Sequence, residues 1–277
     1  MYLDIGQRTD VGRRRDHNED SFGIFQPELE PEVERRGTLL IVADGMGGYA
    51  AGEVASRTAV ETVGDIYYRD RSADIGEALD HSLTRANEAV IEEANRDAER
   101  AGMGTTIAVA AIQDSGVRIA NVGDSRVYLM RNGELQQITH DHSWVAELVA
   151  VGKITPEEAR HHPMRNVVTR SLGGRPSVEV EVYPRTILEG GDIVLLCSDG
   201  LWGMVPAEQI QRIVGGLSAQ AAADALINAA NEAGGHDNIT AIVCRVLGFA
   251  FDESTEDSTE QLDPLQVQDT QPIPRVP

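Results

Sequence analysis

Three aspartates sit where apolar runs begin or end. Asp44 closes the run Thr38–Ala43, Asp199 closes Ile193–Cys197, and Asp237 precedes Ile239–Val246. One carboxylate in such a place is unremarkable, because strands end in turns and Asp is a turn residue. If the strands are neighbours, the carboxylates converge, and like charges a few ångströms apart do not all stay ionised unless cations lie between them. Hard divalent ions with oxygen ligands, Mg²⁺ or Mn²⁺, suit such a set.

The surroundings of these aspartates are also chemical in type. Asp44 stands in Val42-Ala43-Asp44-Gly45-Met46-Gly47-Gly48, with Gly52 beyond. A glycine directly after a ligand lets the backbone turn sharply and turn its own carbonyl toward a metal, although a plain strand-to-helix turn reads the same way. No Gly-Lys-Ser/Thr follows, so this is not a phosphate-binding loop of the nucleotide type. Arg15-Asp16-His17-Asn18-Glu19-Asp20 places two adjacent carboxylates shortly after an arginine. That suits a site holding both a cation and an anion, since Arg meets phosphate oxygens bidentately, but alone it is also a charged loop. Asn121-Val122-Gly123-Asp124-Ser125-Arg126 joins two expected strands and alone reads as a hairpin turn. Gly104-Thr105-Thr106, at the start of a strand, is equally ambiguous. Cys197 offers thiol chemistry, but it lies inside an apolar strand with no basic phosphate loop after it and reads as core.

Taken in order, R-x-x-N-E-D, A-D-G-M-G-G, G-T-T, N-V-G-D-S-R, C-S-D-G-L-W and D-N-I-T form a set that resembles the metal-dependent Ser/Thr protein phosphatases, the type 2C family, in their bacterial form. The likeness covers residues 1–247. It implies two Mn²⁺ or Mg²⁺ ions per site, with Asp44 bridging them, Gly45 offering its carbonyl to one, and Asp199 and Asp237 completing the other. Arg15 would bind the substrate phosphate. Glu19 and Asp20 match an acidic pair that acts largely through metal-bound water. Asp124 matches the aspartate that, with Asp199, holds a third, weaker metal. The implied reaction is hydrolysis of phosphoserine and phosphothreonine in proteins by a metal-activated water, with no phospho-enzyme, opposing a Ser/Thr kinase. Residues 141–170 match the variable flap beside the site that shapes substrate choice.

Two positions depart from the family. Met46 stands where animal relatives have a histidine, and Tyr49 where many bacterial relatives do. Protonation of the leaving group is therefore unassigned among His17, His161, His162, His236 and metal-bound water.

These residues need a scaffold. Short apolar runs at 38–43, 105–112, 117–121, 127–130, 178–182, 193–197 and 239–246 read as strands, several buried on both faces. Helical patterns cover 53–68 and 75–100, the second with Ile75, Leu79, Leu83, Ala86, Val90 and Ala94 on one face. Further helices are expected at 206–214, at 218–233 with Ser218 as N-cap, and from Thr155-Pro156 with Glu158 completing a capping box. Helices and strands come in blocks without strict alternation, which favours an α+β fold with packed antiparallel sheets covered by helices. The resemblance sharpens this to a sandwich of two antiparallel sheets flanked by helical layers, with the small flap inserted. Residues 1–248 form the catalytic domain. Residues 249–277, acidic and ending in prolines, read as a disordered tail.

Composition narrows the partners. The chain has 277 residues and a net charge of −21, and residues 251–277 account for seven Asp/Glu against one Arg, so the body is acidic too. Such a charge opposes sequence-independent binding of nucleic acid or anionic lipid, which disfavours a metal-dependent nuclease. The rival from another class is a fold kept only to bind a partner, against which the joint presence of Arg15, Asp44, Asp124, Asp199 and Asp237 argues. No apolar run approaches about 18 residues, so no membrane span is expected. Two cysteines, Cys197 and Cys244, are too few for a disulfide framework and fit a reducing, cytoplasmic setting. A monomer acting on phosphorylated proteins is the expectation. Trp144 and Trp202 are expected in the core.

Overall fold

The computed structural model describes residues 1–27, 34–47 and 51–249. Tyr49 and the tail from residue 250 lie outside the described residues.

Twelve strands and seven α-helices follow the order β1 (Tyr2–Asp10), β2 (Asp20–Phe25), β3 (Thr38–Met46), α1 (Ala51–Arg69), α2 (Ile75–Arg96), β4 (Gly104–Thr105), β5 (Ile107–Gln113), β6 (Gly116–Val122), β7 (Arg126–Arg131) and β8 (Glu134–Gln137) among the described residues. Then come α3 (Trp144–Ala150), α4 (Pro156–His161), β9 (Glu181–Val182), β10 (Thr186–Ile187), β11 (Ile193–Cys197), α5 (Asp199–Trp202), α6 (Ala207–Gly216), α7 (Ala219–Glu232) and β12 (Ile239–Gly248). They form the expected α+β sandwich. One sheet runs β1-β12-β11-β7-β8, the other β10-β6-β5-β3-β2, with β4 beside β3 and β9 beside β6. The neighbours in both sheets are antiparallel.

The central strands are apolar throughout because both of their faces are covered. Alternate side chains point to opposite faces of a strand. In β3, Leu40 and Val42 face the other sheet, where they meet the layer holding Val194, Leu196 and Ile242. Leu39 and Ile41 face outward against Val63 of α1 and Leu79 and Leu83 of α2. The second sheet repeats the pattern, with Leu195, Cys197 and Val243 packed on Leu226 and Ile227 of α7. No charged side chain lies within β5 or β11, and the single one in β3, Asp44, lies near its end.

Several sequence expectations need correction. β1, β2, β8 and β10 carry no clean apolar alternation, and β1 is half-buried along most of its length, so its pairing with β12 decides its structure. Of the run 178–182 only Glu181–Val182 is strand. The link Asn121–Arg126 is not a hairpin: β6 and β7 belong to different sheets, and the link crosses the sandwich. The helix expected over 75–100 ends at Arg96, followed by a 3₁₀ turn in which the Glu99 N–H donates to the Asp97 side chain. Ser218 makes no side-chain cap; the Ala219 N–H donates to Asp4 Oδ2 of β1 instead, at 3.1 Å. The Thr155/Glu158 capping box is present and starts α4. Within 141–170, α3 and α4 lie between Ser143 and Val168, which form an isolated bridge. No helix among the described residues is long and apolar enough to cross a membrane.

Candidate active site

Antiparallel pairing sets Asp20 of β2 directly opposite Asp44 of β3. The sequence motifs then join one another by hydrogen bonds. The Thr105 hydroxyl and Thr106 N–H both donate to the Asp44 carbonyl at 2.9 Å, and the Asp44 N–H donates to Thr106 Oγ1 at 3.3 Å. Thr106 Oγ1 shares a 2.7 Å hydrogen bond with Ser125 Oγ, beside Asp124. Gly-Thr-Thr is thus a clamp on the backbone of Asp44 that also ties it to the Asp124 turn.

A second clamp gathers the other end of the set. Asp20 Oδ2 accepts from Ser198 Oγ and Thr240 Oγ1, each at 2.7 Å, which fixes it between the residues neighbouring Asp199 and Asp237. Asn238 donates to the carbonyls of Val11 and His17 and accepts from the Glu19 N–H at 2.8 Å, holding the loop that carries Arg15. Arg15 Nη2 donates to Asp237 Oδ2 at 2.8 Å. Ser198, Asn238, Thr105, Thr106 and Thr240 lay inside the recognised motifs, yet their residue types alone gave no sign of these roles.

Gly45 works differently from the sharp turn expected after Asp44, and Gly200 plays a like part after Asp199. Gly45 lies within β3, paired with Thr105. A Cβ on it would lie 2.1 Å from the Gly52 carbonyl oxygen and 2.5 Å from that of Glu19. A Cβ on Gly200 would lie 2.0 Å from the Asn238 carbonyl oxygen. Each glycine lets a neighbouring backbone come close enough for its aspartate to join the others.

The electrostatics confirm the convergence. Burial raises the pKa of Asp44, and so, in falling order, do the charges of Asp20, Asp199, Asp124 and Asp237. Burial and the Asp237 charge push Asp199 up, opposed by a hydrogen bond with the Asp44 carboxyl. Asp124, 3% exposed, is raised by burial and then by Asp199. Asp20 is raised by burial against the hydrogen bonds of Thr240 and Ser198. Glu19 is raised by burial, with Arg15 acting against it, and its carboxylate reaches the backbone of Gly52 in α1. Five aspartates therefore share one field, with Glu19 and Arg15 beside it.

The residues fit cations. Asp20 Oδ1 and Asp199 Oδ1 are buried with no hydrogen-bond partner among the described residues. Buried carboxylate oxygens left open among like charges call for positive charge. Among the described residues no group of three or more Asp, Glu, His or Cys side chains stands so that it could hold a metal ion as placed, so it is the open oxygens and the shared field that point to cations. Arg15 takes up one oxygen of Asp237, and Ser198 and Thr240 hold one of Asp20.

Around the Asp124 turn lie residues that sequence reading missed. The Trp202 indole N–H donates to the Asp124 carbonyl at 3.0 Å, and the Arg126 guanidinium sits 3.6 Å from the centre of the Trp202 rings. Arg126 also forms a two-pronged bond to Asp141, at 2.9 and 2.6 Å. His142 is buried, accepts the Gly123 N–H on Nδ1 at 3.0 Å and is bonded through Nε2 to Glu181 at 2.8 Å. It was absent from the histidines considered; His17, His161 and His236 are exposed and His162 is half-buried. Trp144, expected in the core, is 45% exposed, because it starts α3 in the excursion rather than a core helix. Cys197 is core as expected, its pKa pushed up to about 12 by burial.

A family model described as protein phosphatase 2C matches residues 13–247. The serine/threonine phosphatase stp of Listeria innocua is 40% identical over 241 residues, which is 85% of this chain and 93% of that protein. The serine/threonine phosphatase PstP/Ppp of Mycobacterium tuberculosis superposes with a TM-score of 0.79 at 37% identity, covering 88% of this chain and 98% of the other. A structure of the PstP catalytic domain in complex with two manganese ions gives a TM-score of 0.75 at 34% identity, over 88% and 98% of the two chains.

Proposed function

The chain belongs to the protein phosphatase 2C family and is a metal-dependent serine/threonine protein phosphatase, and on that premise we propose a role for each residue of its carboxylate site. Its cofactor is Mn²⁺ or Mg²⁺. Asp44, Asp199, Asp237 and the Gly45 carbonyl would hold the two cations, Asp20 and Glu19 would act through bound water, and Asp124 with Asp199 would take a third ion. When bound, the cations activate water and neutralise phosphoryl charge.

The chain's own residues do the rest. Arg15 has one nitrogen on Asp237, which leaves the remainder of its fork for phosphoryl oxygens. That ion pair sets the guanidinium at the rim of the carboxylate field, where a phosphomonoester must enter. Thr105 and Thr106 hold Asp44 still by its backbone, and Ser198 and Thr240 do the same for Asp20 by its side chain. No side-chain nucleophile is used, and the pKa of Cys197 keeps its thiol out of the reaction.

The observation that carries this reading is the opposition of Asp20 and Asp44 inside a field of five aspartates with two open buried oxygens. The direct test is hydrolysis of a phosphothreonine peptide and an aryl phosphate with and without Mn²⁺. Chelation should abolish activity, and Asp44→Asn should lower it by about 10² or more, since Lewis-acid stabilisation is worth several kcal/mol and each 1.4 kcal/mol is tenfold. Chelator-insensitive hydrolysis would overturn it.

The finer reading is a catalytic domain over 1–248, a flap at 141–170 beside the site and a C-terminal extension from 249. A phosphoprotein substrate must be made by a protein kinase, so the enzyme opposes a Ser/Thr kinase. Free, buried Cys197 and Cys244 support a reducing, cytoplasmic setting, and the chain is proposed to act as a monomer.

A further inference from the structure

Arg13 and Arg14 stand immediately before Arg15, and both are exposed. Among the described residues neither forms an ion pair, in a chain where 45 acidic residues face 24 basic ones. Their neighbours are engaged: Arg15 with Asp237, and Arg8 with Asp10 and Asp224. Two adjacent cations left unpaired in so acidic a molecule are available to an anion from outside.

The loop that carries them is fixed. The Gly12 N–H donates to Asp10 Oδ1 at 2.9 Å and the Arg13 N–H to the Gly235 carbonyl at 2.7 Å. Gly12 and Gly235 hold positive φ of 82° and 50°, conformations that glycine takes without strain. A Cβ on Gly12 would lie 2.2 Å from the Asp237 carbonyl oxygen, and one on Gly235 would lie 2.8 Å from Arg13 Cγ. The two loops are therefore pressed together, and the backbone of Gly12 and Arg13, which leads directly into Arg14, is packed against the segment 235–237 that precedes β12. A fixed backbone lowers the ordering cost of binding.

Spacing suggests what they bind. Consecutive Cα atoms are about 3.8 Å apart, so Arg14 and Arg13 stand within about 4 and 8 Å of Arg15 along the chain. An extended peptide advances about 3.3 Å per residue, so residues one to three places from a phosphate on Arg15 come within reach of these side chains. We propose that Arg13 and Arg14 form a second anion subsite that selects phosphorylated segments carrying another anionic group, a phosphate or a carboxylate, within three residues of the phosphate being removed. This rests on the reading of Arg15 as the phosphate-binding residue.

The test uses the full chain with Mn²⁺ and phosphothreonine peptides that differ at one position, two residues before or after the target, occupied by phosphoserine, Glu or Gln. The quantity read is the ratio of kcat/KM for each anionic peptide to that for the neutral one, within one enzyme. The native chain should prefer an anionic peptide about three- to tenfold, the scale of one or two exposed ion pairs, through KM and less so in high salt. Arg13→Gln/Arg14→Gln should bring the ratio to about one, and the double Lys variant should restore part of it. The phosphoserine and Glu peptides separate a phosphate-specific subsite from a general anion subsite. A native ratio of one, or a ratio unchanged in the Gln variant, overturns the proposal. So does a rise of the Gln variant's activity on the neutral peptide, which would mean that the arginines hold an acidic segment of the chain itself. Absence of Mn²⁺-dependent aryl phosphate hydrolysis by the native chain would instead remove the phosphatase reading beneath it.

Discussion

Asp20 and Asp44 face one another across the β2–β3 ladder, a register in which two like charges oppose folding. The same strands are otherwise stabilised by apolar contacts on both faces, so the fold tolerates a local electrostatic cost at one end of its sandwich. Such a cost is relieved by bound cations, which links stability to the metal.

Asp44→Asn removes one charge from this field. In chelator the variant should melt about 2–4 °C above the native chain, on the basis of about 1 kcal/mol relieved in a domain of this size. Addition of Mn²⁺ should raise the native Tm and move the variant less. Equal metal shifts in both, followed by thermal unfolding at fixed protein concentration, would remove Asp44 from the cation site.

The glycines of the two Asp-Gly pairs should be intolerant of the smallest side chain. Gly45→Ala places a methyl against the Gly52 and Glu19 carbonyls, and Gly200→Ala against that of Asn238, all backbone atoms that cannot swing away. Each should cost about 1–3 kcal/mol in denaturant unfolding. Activity should fall more than stability, because the strain is released by moving the strand ends that carry Asp44 and Asp199. Gly102→Ala is the control for added bulk: a Cβ there meets nothing within 4 Å, although its positive φ of 79° still carries a conformational cost.

The sequence made the carboxylates legible because an aspartate at the end of a doubly buried strand has few other reasons to be there. It also made the central strands and long helices legible, since their periodicity is set by burial. β1 and β2 were not, because they are edge strands whose apolar residues, such as Leu3, Ile5, Phe22 and Ile24, are mixed with polar ones and only partly buried. The Asn121–Arg126 link was misread because turn residues look alike whether a chain doubles back or crosses between sheets. Trp202, Arg126 and His142 act through partners distant in the chain, such as Asp124, Asp141 and Glu181, and no local pattern shows such pairs.

Trp202 gives a way to separate the Asp124 turn from the rest of the site. Trp202→Phe keeps a ring against Arg126 but loses the N–H to the Asp124 carbonyl. Loss of one such bond costs about 1 kcal/mol. If Asp124 holds the weaker ion, activity should need about three- to fivefold more Mn²⁺ to reach its plateau, by the same conversion of free energy to affinity. Thermal stability in chelator should change little. An unaltered Mn²⁺ titration would confine Trp202 to packing.

Asp70, on the far side of α1 from the chemistry, sets an acid limit on stability. Burial raises its pKa, but the hydroxyl and N–H of Ser72 and the ring of His81 outweigh it and bring the value down to about 2. Arg36, fully buried, donates to the Asp70 carbonyl at 2.5 Å and lies 3.4 Å from its carboxylate. An unfolded aspartate titrates near about 3.9. A folded value below the unfolded one means that Asp70 stabilises the native state at pH above about 4, and that this contribution is lost as pH falls through about 2. The full shift corresponds to about 2.6 kcal/mol, and solvent screening near the surface reduces it to about 1. Asp70→Asn should therefore unfold at lower urea concentration than the native chain at pH 6, with the gap closing as pH drops from about 4 toward 2. A gap that persists unchanged at low pH would mean that packing rather than charge holds the end of α1.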